Sequence, residues 1–140
     1  MTVQELKKDL LHIRVTQLRY RLAADKARQF DDLICAPKGA GFESHNASSR
    51  TNSSEEKVML AIAYREKALL LEADMLSARE RAEKYISVLT LQSEKEVITR
   101  RYLMCQTWEQ IADVMNYSCR HVERIHSKAL KKMSLNVTQN

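Results

Sequence analysis

The sequence predicts an all-α protein, with an N-terminal helical hairpin or coiled-coil segment before a C-terminal helix-turn-helix. The 140 residues include only two glycines and one proline, all within positions 37–41, so strong helix breakers are missing elsewhere. Apolar residues recur at helical spacing on both sides of that cluster. Several Ser/Thr-x-x-Glu/Gln sequences have the form of a capping box, which opens helices. A β-sandwich or a glycine-rich nucleotide fold would need turn glycines that this chain lacks.

Residues 1–34 predict one amphipathic helix. A second apolar row (Leu11, Val15, Leu18, Leu22) widens its apolar face. Such a helix either packs within its own chain or joins several copies. We favour a homo-oligomer, because few residues remain to build a core around it. The a/d seam of this helix comprises Val3, Leu6, Leu10, Ile13, Gln17, Tyr20, Ala24 and Ala27.

Residues 35–54 are small and polar, which predicts a flexible linker or loop. Residues 55–92 predict a long helix opened by a capping box from Ser53 to Glu56 and able to fold back on the first helix as a hairpin. The β-branched stretch at 86–91 suggests a joint before the C-terminal segment. The apolar stripe of the long helix comprises Val58, Ile62, Leu69, Ala73 and Leu76.

The charge and the cysteines limit the classes of protein to which this chain can belong. The net charge is +5, and residues 116–133 alone hold five Lys/Arg against one Glu. A basic surplus on one helix-length segment is typical of a polyanion-binding surface, although a solvated basic face would share it. The three cysteines form no C-x-x-C motif, which favours a reducing cytoplasm. The longest apolar run, residues 58–64, is far shorter than a membrane span.

The segment 93–135 predicts a helix-turn-helix DNA-binding domain. A capping box at Ser93–Glu96 opens a short helix, and a second box at Thr107–Gln110 opens the next. Asn116 tolerates a left-handed turn and Ser118 is a good N-cap, so a turn there leads into a last helix over about 118–133. The predicted core of the motif comprises Trp108, Ile111, Ala112, Met115, Val122, Ile125 and Ala129.

The last helix carries a basic stripe opposite its apolar one. Arg120, Arg124, Ser127 and Lys131 recur at i, i+4, i+7 and i+11. The N-terminal part of such a helix enters the major groove, where arginine bonds guanine and a carboxylate accepts from cytosine. We expect the bases to be contacted by Arg120, His121, Glu123 and Arg124. We expect the phosphates of double-stranded DNA to be contacted by Ser118, Ser127, Lys128, Lys131 and Lys132.

Catalysis and metal binding find no support in the sequence. His121 and His126 lie about 140° apart around a regular helix, so they cannot easily share a metal. We interpret His126 as a packed or hydrogen-bonded residue. No nucleophile and base are placed for catalysis. We therefore predict no enzyme, no cofactor and no metal.

Residues 93–133 resemble region 4 of bacterial sigma factors, the domain that reads the −35 promoter element. The resemblance rests on Arg101-Tyr102, on Thr107 to Ala112, and on Val122 with Lys128 to Leu130. The segment is more similar still to the ArpU/RinA-type late transcriptional regulators of phages. The resemblance implies that Arg120, His121 and Arg124 face bases. Cys119-Arg120 departs from the Arg-Glu often found in region 4, so promoter preference does not carry over.

These features predict a sequence-specific regulator that activates phage genes in the bacterial cytoplasm. The chain lacks the aromatic-rich helix with which full sigma factors open promoters, so action on host RNA polymerase fits better than promoter melting. Two alternatives remain: the DNA-recognition (small) subunit of a phage packaging terminase, or a module that binds RNA polymerase without touching DNA. The terminase alternative would depend on helices that oligomerise the protein. The polymerase-binding alternative would depend on exposed apolar positions of the long helices.

Overall fold

The computed structural model describes residues 1–35 and 47–139, and for residues 47–53 its description is limited to the backbone. It confirms the all-α class, since these residues include no strand. The helices, in chain order, are α1 (Val3–Cys35), α2 (Ala47–Ser87), α3 (Gln92–Ile98), a π-helix (Thr99–Leu103), α4 (Trp108–Met115) and α5 (Cys119–Thr138). No helix in this part of the chain is long and apolar enough to cross a membrane.

One compact unit combines Met1–Leu18 with Asp74–Asn140. Leu6, Leu10 and Ile13 of α1 are fully buried in its core, which answers the question left open by the sequence: this half of the α1 seam packs within its own chain. Burying such side chains contributes about 1.5–3 kcal/mol each. The other members of this core come from α2, from the joint that follows it and from the C-terminal helices: Ala78, Ala82, Leu89, Ile98, Tyr102, Leu103, Ala129, Leu130 and Met133.

Polar contacts fix α1 against α2 within this unit. The Tyr85 hydroxyl donates to Asp9 Oδ2 at 2.6 Å, and Arg81 lies 3.3 Å from the same carboxylate. Burial, together with the bond to Asp9, raises the pKa of Tyr85 to about 12, so it stays a neutral donor. The buried Gln17 amide donates to the Met75 carbonyl at 3.1 Å. The buried Gln17 side chain, although at a position of the apolar seam, therefore has a hydrogen-bond partner.

The second unit, Arg19–Ala73, is formed by the remaining parts of α1 and α2. Among the residues of this unit whose side chains are described, the buried apolar ones are alanines: Ala23, Ala27 and Ala61. Phe30 stacks on Tyr64 with ring centroids 5.3 Å apart, and Lys26 Nζ lies 5.2 Å from the Tyr64 ring centroid. An Arg65–Asp31 ion pair also links the two helices.

The start of α2 differs from the prediction. The helix begins at Ala47, so Ser53 lies inside it and is not its N-cap; the side chain of Ser53 is outside the described residues. Residues 47–54 contain neither glycine nor proline, and nothing in them stops the helix from extending towards the N-terminus. The predicted linker 35–54 therefore overlaps α2 from Ala47 onward, and residues 36–46 lie outside the described part of the chain.

Two predicted apolar rows remain exposed. The second row of α1 is uncovered, with Leu18 38% and Leu22 61% exposed. On α2, Ile62 is 47% and Leu69 67% exposed, although the stripe they form has the spacing of a packed face. Small side chains carry the burial along α2 instead, at Ala61, Ala78 and Ala82, because alanine lets two helices approach closely.

Candidate nucleic-acid interface

The first helix of the C-terminal segment, α3, begins directly after Leu91 and not after Ser93. Leu91 is extended (φ −82°, ψ 130°) and precedes α3 without a side-chain cap. The predicted capping box at Ser93 is wrong because α3 begins at Gln92, which places Ser93 inside the helix; Glu96 Oε1 accepts from Arg100 at 2.9 Å instead. The neighbouring Glu94 is buried, and its Oε1 accepts from Lys132 Nζ of α5 at 2.7 Å.

The start of α4 is fixed by side-chain capping. Thr107 Oγ1 accepts from the backbone N–H of Gln110 at 3.2 Å, while Gln110 Oε1 accepts from the N–H of Thr107 at 2.9 Å. This reciprocal pair is the predicted capping box, and it is confirmed. It satisfies two backbone donors that a helix start would otherwise leave open.

The turn between α4 and α5 follows the chemistry of its residues. Asn116 closes α4 in the left-handed region (φ 56°, ψ 41°), and the N–H of Tyr117 returns to the Ala112 carbonyl at 3.0 Å. Ser118 is extended and caps α5, its Oγ accepting from the N–H of His121 at 3.1 Å. Both roles were predicted from the sequence, and both are confirmed. A short, well-defined turn therefore holds α4 against α5.

The inner faces of α4 and α5 meet in a small apolar cluster with Val97 of α3. Trp108 and Met115 are partly buried against it. Ala129 is fully buried too, but it belongs to the larger core with α1 and α2. The inner face of α5 is thus packed by two apolar clusters. The members of the small cluster are Val97, Ile111, Ala112, Val122 and Ile125.

The outer face of α5 is polar, exposed and positively charged. Arg120 and Arg124 lie one turn apart on it, with Glu123 beside them. His121 packs edge-on against Tyr117, with ring centroids 4.6 Å apart, so its ring is held at the start of the helix. We call this face the α5 stripe; its exposed residues are Arg120, His121, Glu123, Arg124, Ser127, Lys128 and Lys131.

Two of the residues expected to contact phosphates make side-chain hydrogen bonds within the chain. Lys132 is only half-exposed, and its ammonium bonds the buried Glu94 carboxylate across to α3, away from the α5 stripe. The Ser118 hydroxyl accepts the capping bond from His121, which leaves its own proton free to donate. The phosphate contacts expected of these two residues stay predictions, and Lys132 already has an acidic partner within the chain.

A buried aromatic network behind α5 was not foreseen as a unit. The Tyr102 hydroxyl and His126 Nε2 share a hydrogen bond of 2.7 Å, and the Trp108 ring meets the His126 ring edge-on at 4.9 Å. The Arg101 guanidinium lies 4.3 Å from the Trp108 ring centroid, on its face. The interpretation of His126 as packed and hydrogen-bonded is confirmed. The π-helix that directs Tyr102 inward has no recognisable sequence signal.

Burial keeps the Tyr102 and His126 rings of this network uncharged. It lowers the pKa of His126 to about 4, with help from the positive charges of Lys7 and Arg101. Burial likewise raises the pKa of Tyr102 to about 12. Near neutral pH both rings are uncharged, so the network links α5 to the π-helix without charging the core. Across the residues described, no three His, Cys, Asp or Glu side chains cluster as metal ligands would.

The comparison with protein families bears on this same segment. The profile of the family described as Sigma-70, region 4 matches residues 89–134, from the joint before α3 to most of α5. The C-terminal segment is a sigma region 4-like helix-turn-helix. Sigma region 4 is a DNA-binding family, not a catalytic one. The match begins after α1 and α2, so both helices lie outside the sigma region 4-like segment. No curated protein and no solved structure matches the chain.

Proposed function

We propose that this protein is a sequence-specific, double-stranded DNA-binding regulator of transcription that reads the major groove with the N-terminal half of α5. The observation that carries the proposal is the α5 stripe. A helix with one face buried by two apolar clusters presents a continuous basic face on the other side, within a sigma region 4-like segment. Rigid support of the inner face is what major-groove readout needs on the outer face.

The residues of the α5 stripe fall into two groups according to their position along the helix. Arg120 and Arg124 carry planar guanidinium groups suited to two bonds with guanine, and Glu123 suits the amino group of cytosine. His121, held by Tyr117, lies beside them. Further along the helix, Ser127, Lys128 and Lys131 suit phosphates of the groove wall, as does Ser118 at its start.

The finer assignment follows from the resemblance to ArpU/RinA-type phage regulators. We propose activation of phage genes through contact with the host RNA polymerase in the cytoplasm. We also propose that two or more copies act together, so that recognition helices reach half-sites about one helical turn apart. No enzymatic step, metal or cofactor enters this function.

Footprinting of the purified protein on fragments of its own genome tests the proposal. We expect a discrete protected site upstream of a gene block at near-physiological salt, lost in the Arg120→Ala/Arg124→Ala double variant. Arg79→Ala, which removes an exposed cation from α2, serves as the matched control and keeps the footprint. Diffuse binding shared by all three proteins would reduce α5 to an ordinary basic face and overturn the proposal. A ring of many copies would favour the terminase alternative.

A further inference from the structure

Three cations of the unit that combines Met1–Leu18 with Asp74–Asn140 lie outside the α5 stripe. Lys7 and Arg14 belong to α1, which is outside the family match, and Arg101 belongs to the π-helix. Within the residues that the structure describes, none of the three forms an ion pair with a carboxylate. We call these three residues the second basic cluster.

Arg14 is held at the loop that leads into α4. Its Nη2 donates to the Cys105 carbonyl at 3.3 Å, and its own carbonyl accepts from Cys105 Sγ at 3.6 Å. The carbonyl of the next residue, Gln106, accepts from Arg101 Nη1 at 3.1 Å. Two guanidinium groups therefore bond consecutive carbonyls directly before Thr107, the N-cap of α4.

This arrangement holds positive charges close together. Burial, and next the charge of Arg14, lower the pKa of Arg101, while the carboxylate of Glu109 acts in the opposite direction and less strongly. Arg14 Nε is inaccessible to solvent and has no hydrogen-bond partner among the described residues. Because like charges held together repel, an anion bound between them stabilises this part of the protein.

Lys7 extends the second basic cluster along the same side of α1. It is exposed and lies seven residues, or two helical turns, before Arg14. Burial, and next the charges of Lys7 and Arg101, lower the pKa of His126, so both cations lie near the middle of α5. The neighbouring Lys8 is exposed as well, but it lies about 100° away around α1.

We propose that Lys7 and Arg14 bind phosphates of the DNA backbone, so that α1 joins the DNA interface although it lies outside the sigma region 4-like segment. In a helix-turn-helix the first helix crosses the backbone while the second enters the major groove. The first helix here is α4, and Arg14 lies at its N-terminal end, where the helix dipole also favours a phosphate. Backbone contacts of this kind fix the register of the recognition helix on the duplex.

This inference rests on the proposed function for its ligand, double-stranded DNA, but not for the reading of bases. A discrete footprint that keeps the wild-type salt dependence when Lys7 and Arg14 are neutralised would overturn this inference and leave the proposed function intact. A salt dependence that falls as expected, in a protein without a discrete footprint, would support the α1 contacts and contradict sequence reading.

Titration of a scrambled duplex over a series of salt concentrations tests the α1 contacts. We expect Arg14→Gln and Lys7→Gln each to weaken binding about three- to tenfold. Each should also lower the slope of log affinity against log salt by about 1, because one phosphate contact is lost. Lys8→Gln is the matched control, since it removes the same charge from the next exposed position of α1, and it should keep the wild-type slope.

A second variant of Arg14 separates its charge from its bond to the loop. Arg14→Lys keeps the charge without the guanidinium group, so we expect it to keep the wild-type slope. Urea unfolding reports whether Arg14→Gln lowers stability, and Lys7→Gln, at an exposed position, tests the contacts independently of any such loss. An unchanged slope in either Gln variant, an equal fall in Lys8→Gln, or a fall in Arg14→Lys as large as in Arg14→Gln would each overturn the proposal.

Discussion

At the scale of single residues, two adjacent lysines near the end of the basic stripe of α5 have different roles. Lys131 is exposed on the α5 stripe, while Lys132 bonds the buried carboxylate of Glu94. The sequence predicted that both lysines contact phosphates, because they have the same charge and are neighbours on the last helix. Only the packing of α3 against α5 separates them.

Lys131→Ala is expected to weaken binding to all DNA sequences alike. It should also lower the slope of log affinity against log salt by about 1, because one phosphate contact is lost. Its effect on the free energy of unfolding should stay within about 0.5 kcal/mol. Binding titrations over a series of salt concentrations measure the slope, and an unchanged slope would remove Lys131 from the interface.

Lys132→Ala is expected to do the opposite. It leaves Glu94 buried without its cation, so the free energy of unfolding should fall by about 1–3 kcal/mol. The salt slope of DNA binding should not change. Urea unfolding measures the first quantity, and Glu94→Gln in the Lys132→Ala background should recover part of the loss. Full stability in Lys132→Ala would contradict the role assigned to the ion pair.

His126 makes a pH-dependent contribution to stability. Its folded pKa of about 4 lies below the ordinary 6.5, so the unfolded chain binds more protons between these values. The contribution is complete above pH 6.5 and is lost as the pH falls towards 4, by up to roughly 3 kcal/mol. Urea unfolding at pH 7 and pH 5 should show a smaller loss in His126→Gln than in the wild type. His121→Gln, at an exposed site, is the control and should keep the wild-type loss.

At the scale of helices, capping chemistry predicted the ends that matter for the site. Thr107, Asn116 and Ser118 take the expected conformations because each provides a local hydrogen bond or tolerates an unusual backbone angle. Ser93 and Ser53 fit the same pattern but lie inside helices, since α3 begins at Gln92 and α2 extends back to Ala47. A capping motif therefore marks a helix start only where the residues before it are not themselves helical.

The two long helices show a second limit of sequence periodicity. The apolar stripe of α2 has the spacing of a packed face but is exposed, and the helix buries Ala61, Met75, Ala78 and Ala82 instead. Spacing shows which residues can share a face, but it does not show which partner covers that face. The π-helix at Thr99–Leu103 escaped prediction for a related reason, since its register follows from burying Tyr102 beside His126.

The turn between α4 and α5 gives a prediction at this scale. Asn116→Ala should lower the free energy of unfolding by about 1–2 kcal/mol, because Cβ-bearing residues other than Asn and Asp fit the left-handed region poorly. Asn116→Gly should be neutral within about 0.5 kcal/mol, because glycine adopts this conformation without strain. Chemical unfolding of both variants provides the measurement, and equal losses in the two would show that backbone conformation does not explain the choice of asparagine.

At the scale of the whole molecule, the chain combines a sigma region 4-like helix-turn-helix with long helices outside the family match. The sigma region 4-like segment accounts for residues 89–134, and the unit Arg19–Ala73 exposes apolar side chains such as Ile62 and Leu69. One recognition helix makes few base contacts, and each contributes about 1–3 kcal/mol of discrimination. Pairing two copies would multiply that discrimination at a two-part site.

The central claim is that the α5 stripe reads base sequence. The most direct test is the ratio of affinities for the footprinted site and for a scrambled duplex of the same length and salt. Arg124→Ala should reduce this ratio by about 1–3 kcal/mol while changing the affinity for the scrambled duplex little. If Arg124→Ala weakens both duplexes equally, the stripe binds phosphate without reading bases, and the account of a sequence-specific regulator is contradicted.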